Sequence, residues 1–194
     1  YHGNVYLFVL GDNDISLWKT DGTRENTARV KRIAGESAWA ENIITHRNSS
    51  ALPREKRGEP ILINDNFYFF TRVNASGTEY LWQSDGTPEG TTRVAPLPEF
   101  GTGMDEAYLM NGILYFLDPS CLWRTDGTGA GTWQVSGEFD RAESPVIYNN
   151  HLYFSAFDDV HDQELWVSDG TPGGTRLFAD MNLIENSICY PDDA

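Results

Sequence analysis

The chain is poor in several things, and each shortage removes a class of explanation. Two cysteines in 194 residues exclude the disulfide framework that staples small secreted domains. No apolar run approaches the roughly 18 residues that a membrane-spanning helix needs, so no transmembrane segment is expected. Basic residues are scarce: 14 Lys and Arg stand against 29 Asp and Glu, for a formal net charge of −15. Nucleic acid and anionic membrane surfaces repel such a polyanion, which leaves cations and cationic partners as the company its charge favours. Catalytic signatures are missing as well, with no HExxH, GxSxG, P-loop or CxxC spacing. No stretch sustains a helical period.

What the chain does have is repetition. Leu17-Trp18-Lys19-Thr20-Asp21-Gly22-Thr23 returns as Leu81-Trp82-Gln83-Ser84-Asp85-Gly86-Thr87, as Leu122-Trp123-Arg124-Thr125-Asp126-Gly127-Thr128 and as Leu165-Trp166-Val167-Ser168-Asp169-Gly170-Thr171. The tryptophans lie 64, 41 and 43 positions apart. Each unit divides into four short runs of aromatic and β-branched residues separated by Gly, Asn and Asp, which reads as four strands. Asp-Gly after the Trp strand is a hairpin signal, because glycine accepts the positive φ of tight turns. Four residues further stand Gly90, Gly131 and Gly174, with Asn26 as the first unit's substitute, expected there for its tolerance of the left-handed region. Tyr6, Tyr68, Tyr115 and Tyr153 occupy matching second-strand positions, and with the Trp residues they are expected to pack between successive sheets.

Four-stranded units of about 45 residues predict an all-β fold, a four-bladed β-propeller of antiparallel blades. The expected single domain places blade two at 59–97, blade three at 106–137 and blade four at 144–180. Blade one runs over 1–33 and opens on what is already a second strand, Val5-Tyr6-Leu7-Phe8. The tail, 184–191, matches the first strands of other units, so it is expected to complete blade one and close the ring, removing an open edge. The same tail, through Ile188, Cys189 and Tyr190, could instead enter a neighbouring molecule and build a filament. The missing initiator Met and signal peptide suit a mature or excised segment. Cys121 and Cys189 fall on opposite blades in this scheme, too far apart for the roughly 7 Å that a disulfide spans.

The phrase resembles the bacterial ELWxxDGT repeat, matched best by Glu164-Leu165-Trp166-Val167-Ser168-Asp169-Gly170-Thr171. In the other copies Ser16, Tyr80 and Cys121 replace the leading Glu. The resemblance implies a propeller-like protein at the cell surface or outside the cell. It implies no catalytic residues.

Function is expected on the irregular face, where strand-two-to-three loops and blade connections gather, since binding favours irregular loops on rigid scaffolds. The insertion 34–58 accounts for the long first spacing and holds Trp39, His46, Arg47 and Arg54, candidates for gripping a glycan or other acidic group, a protein ligand or another subunit. Two acidic loops contribute Asp12 and Asp14, and Asp158, Asp159 and Asp162. Clustered oxygens suit calcium, the one candidate ion, although no cofactor is required. The leading expectation is a non-catalytic extracellular binding or assembly module, not an enzyme. The alternatives are a filament subunit made from copies of itself and a glycan-acting hydrolase, which needs only two carboxylates.

Overall fold

The computed structural model describes residues 2–11, 14–35, 38–43, 61–73, 78–97, 107–118, 120–137, 139–158, 160 and 162–181. The fold is all-β. Among the described residues, sixteen strands form four antiparallel sheets that follow one another along the chain. Blade one contains β1 (Val5–Leu10), β2 (Asp14–Thr20) and β3 (Ala28–Gly35). Blade two contains β4 (Ala38–Ile43), β5 (Leu62–Ile63), β6 (Asn66–Val73), β7 (Glu79–Ser84) and β8 (Thr92–Leu97). Blade three contains β9 (Ala107–Met110), β10 (Ile113–Asp118), β11 (Cys121–Thr125) and β12 (Trp133–Ser136). Blade four contains β13 (Asp140–Tyr148), β14 (His151–Phe157), β15 (Glu164–Ser168) and β16 (Arg176–Ala179).

The second strands of the two inner blades, β6 and β10, are buried on both faces, because their alternate residues face opposite neighbours. Phe67 and Phe69 of β6 join Leu17, Val30 and Ile33 of blade one in one buried cluster, while Tyr68 and Phe70 join Leu114 and Phe116 of blade three in another. A third cluster joins Tyr115 and Leu122 of blade three to Leu152, Phe154 and Trp166 of blade four. Aromatic contacts cross these seams, as with Tyr6 and Phe67 at 4.9 Å and Phe70 edge-on to Phe116 at 5.6 Å between ring centres. The three clusters join blade one to two, two to three and three to four, and none of them joins four to one.

Two local expectations are corrected. The tight two-residue turns are those before the second strands: Asn64-Asp65, Asn111-Gly112 and Asn149-Asn150 all have positive φ at both positions, the twist-matched hairpin form. The Asp-Gly turns are longer, running from Ser84 to Thr92 in blade two, with only the glycine at positive φ. Asn26 is not left-handed, and neither are Gly90, Gly131 and Gly174. Glycine is needed there because a Cβ would overlap the carboxylate of Asp85, Asp126 or Asp169. Asn26 solves the same problem by donating its amide to Asp21 at 2.6 Å.

The insertion also differs at its start, where Ala38–Ile43 forms β4 and pairs with β6 from Val73 to Phe69. The short β5 covers only Phe67 and Asn66. Without β4 the rest of β6 would leave its backbone groups on that side unpaired. Blade one shows the converse. His2 and Gly3 adopt the positive φ of the other two-residue turns, yet among the described residues β1 pairs only with β2. The tail proposed to fill that edge, with Ile188, Cys189 and Tyr190, lies outside the described residues. No described helix is long and apolar enough to cross a membrane.

Candidate functional site

The Asp-Gly-Thr turns carry one hydrogen-bond pattern that recurs in all four blades. In blade two Asp85 Oδ1 accepts from the Thr87 amide at 2.8 Å and its hydroxyl at 2.7 Å. Thr87 Oγ1 accepts from the Gly90 amide at 3.0 Å, and Ser84 Oγ from the Gly86 amide at 3.0 Å. The same Asp–Thr bonds recur at Asp21, Asp126 and Asp169. The Thr hydroxyl first, and the Thr amide after it, hold all four carboxyls below the ordinary aspartate value of 3.8. These carboxylates are engaged within their own turns.

The opposite face holds the buried carboxylates. There the third strands begin, directly after the irregular loops. Glu79 opens β7 and Glu164 opens β15, and each is 2% exposed. Burial of a carboxylate is uncommon and demands polar company. Glu164 accepts a hydrogen bond from the Met181 amide, which ties the end of β16 to its carboxylate. Next to it, β13 slips register twice against β14, between Asp140 and Glu143 and between Glu143 and Val146. Arg141 and Ser144 sit at φ 46° and 57° within that stretch, a conformation that costs energy for residues other than glycine. Glu143 accepts from Gln163 Nε2 at 2.6 Å, joining the bulged strand to the loop before Glu164. Carboxylates, an arginine and strained backbone thus gather at one end of blade four.

The predicted site residues are scattered by comparison. Trp39 lies on β4, its backbone opposite Arg72; His46, Arg47 and Arg54 lie outside the described residues. So do Asp12 and Asp159. Asp14 pairs with Arg32 at 2.8 Å, Asp158 accepts from the Val160 amide at 2.8 Å, and Asp162 is exposed. Among the described residues no three His, Cys, Asp or Glu side chains converge as a metal site. Cys121 is a buried thiol that accepts from Trp123 Nε1 at 3.2 Å. In the sequence Glu79 carries no mark of its own, and Glu164 stands out only as the leading residue of the repeated phrase. The available signal was that both stand at the first position of a strand, ahead of a repeated Leu-Trp pair.

No protein-family model matches the sequence, and no curated protein matches it. Solved structures do match. A puromycin hydrolase superposes with a TM-score of 0.54 at 11% identity, over 90% of this chain and 26% of that one. A serine-to-alanine mutant of puromycin hydrolase complexed with PGG gives 0.51 at 11%, over the same shares. An exo-β-1,3-galactanase from Phanerochaete chrysosporium is looser, at 0.42 and 13%, over 92% of this chain and 47% of that one, too loose to carry weight. The chain therefore spans about a quarter of the length of the hydrolase it matches.

This likeness overturns the expectation of a non-catalytic binding or assembly module with no enzymatic role. That expectation stood on the absence of contiguous catalytic motifs. A solved chain with this fold is a hydrolase, and a site assembled from separate blades requires no fixed sequence spacing.

Proposed function

We propose that this chain is the propeller of a glycan-acting hydrolase, with the loop face as its substrate face and Glu79 and Glu164 as its acid–base carboxylates. The observation that carries the proposal is the burial of these two side chains at the loop-face ends of equivalent strands in blades two and four. Glycoside hydrolysis needs two carboxylates, one to protonate the leaving oxygen and one to activate water or attack the sugar. The hydrolase likeness supports the reaction class, and the bulged start of β13 supplies strained backbone of the kind that collects at functional sites. An extracellular location and kinship with the ELWxxDGT repeat belong to the same proposal. Calcium belongs to it as an ion for the acidic loops, checked by whether a chelator lowers the melting temperature.

The test is release of reducing ends from a panel of oligosaccharides and plant and microbial polysaccharides. Glu79→Gln and Glu164→Gln should each lower turnover about 100-fold or more, the scale of general acid–base catalysis, while circular dichroism stays unchanged. A folded wild-type protein that releases nothing from the whole panel would refute this reading.

A further inference from the structure

The seams between blades share one device. Tyr6 of blade one reaches the Asp-Gly turn of blade two, so that a Cβ at Gly86 would overlap its hydroxyl. Tyr68 reaches Gly127 of blade three, and Tyr115 reaches Gly170 of blade four, with the same consequence. Three seams thus carry three copies of a tyrosine laid against the next blade's glycine. Two members of the series are left over. Tyr153 of blade four is the next tyrosine, and its ring meets Phe178 and His151 of its own blade. Gly22 of blade one is the remaining glycine, with φ 96° like its counterparts, and among the described residues nothing lies within 4 Å of where its Cβ would be.

The surfaces around these two positions agree. Residues equivalent to Val5 and Leu7 are Phe67 and Phe69, Leu114 and Phe116, and Leu152 and Phe154, all at 1% exposure or less. In blade one Val5 is 63% exposed, Leu7 39% and Val9 41%. On the far side of blade four, Val146 and Tyr148 pair across to Tyr153 and His151 and share their face. There Val146 is 57% exposed, Tyr148 64% and Phe178 51%. Apolar stripes of this size at both ends of a stack are surfaces that neighbouring blades cover.

We infer that blade four of one molecule docks on blade one of a second copy, with Tyr153 laid against the partner copy's Gly22. A second copy is the occupant because it carries both halves of a junction that the chain already makes three times. The contact is head-to-tail, so each molecule offers one donor face and one acceptor face.

The experiment is sedimentation velocity across a concentration series, on the wild-type chain, Tyr153→Ala, Gly22→Ala and a 1:1 mixture of the two variants. The wild type should associate beyond monomer. Each variant alone should lose affinity at least tenfold, since one removes the tyrosine and the other fills its seat. The mixture should recover a dimer and no larger species, because Tyr153 of the Gly22→Ala molecule still fits Gly22 of the Tyr153→Ala molecule. A misfolded variant would not complement. A monomeric wild type at every concentration overturns the inference, as do variants that associate like the wild type or a mixture that stays monomeric.

Discussion

Phe67 and Val5 hold the same place in successive blades, yet one is fully buried and the other is 63% exposed. Gly86 and Gly22 share a turn and a positive φ, yet the first lies against Tyr6 and the second meets none of the described residues within 4 Å. Local sequence is nearly the same in each pair. What differs is whether another blade stands on that side. Stability in such a stack resides in the seams, as in other repeat proteins, where each unit contacts only its neighbours. The interior seams and the two outer faces are thus a built-in control for one another.

The sharpest way to break the comparison is to remove one tyrosine of each kind. Tyr68→Ala, at an interior seam, should destabilise by about 3–5 kcal/mol, the range for emptying an aromatic site in a core. Tyr153→Ala in dilute protein should cost less than about 1 kcal/mol, as surface changes do. Urea denaturation with both variants reads the difference, and equal losses would dismiss the seam as the seat of stability. Next comes the glycine pair. Gly22→Ala should cost only the strain of a side chain at positive φ, about 1–2 kcal/mol. Gly86→Ala should add an overlap with Tyr6 worth about 1–3 kcal/mol more.

The tryptophans sharpen the comparison within the interior. Trp82 Nε1 donates to Thr71 Oγ1 at 2.9 Å. Ala156 takes the place of Thr71 in blade four, and Trp166 Nε1 is buried there without a hydrogen-bond partner. Thr71→Ala should therefore cost about 1–3 kcal/mol and give blade two the arrangement blade four already tolerates. Thermal melting checks it.

The smallest effects are those of pH. Burial, and after it the Asp126 carboxylate, pushes the Tyr68 hydroxyl up from 10.0 to about 12. The unfolded chain then ionises where the folded one does not, so stability is full below pH 10 and declines as pH rises toward 12. Tyr68→Phe should flatten that decline. The turn aspartates act in the opposite sense. Their lowered values leave their stabilisation complete above 3.8 and lost as pH falls through them. Asp85→Asn should weaken the acid dependence in a pH titration of unfolding.

Much of the fold was legible because a repeat states its pattern four times. The Leu-Trp pair, the Asp-Gly-Thr turn and the alternating β6 residues specify strand, turn and two buried faces without reference to distant sequence. The position four residues after each Asp-Gly, glycine in three units and Asn26 in the first, is ambiguous in sequence, since a close carboxylate and a left-handed backbone leave the same mark. The candidate site was far less legible. Glu79 and Glu164 fall among 29 acidic residues, and nothing local separates a buried carboxylate from a solvated one. Contiguous motifs carry no information on a site drawn from separate blades, because such residues share no fixed spacing.

By itself, the sequence determined the four units, their strands and the turns between them, because hydrogen bonding and residue alternation act over a few neighbouring positions. Tertiary structure alone decided that β4 completes blade two, that the tyrosines seat on the next blade's glycines, and that two glutamates are buried while most other carboxylates stay in water. It also decided which faces remain uncovered. Burial belongs to surfaces that meet in space, and the chain's own order does not say where the stack ends.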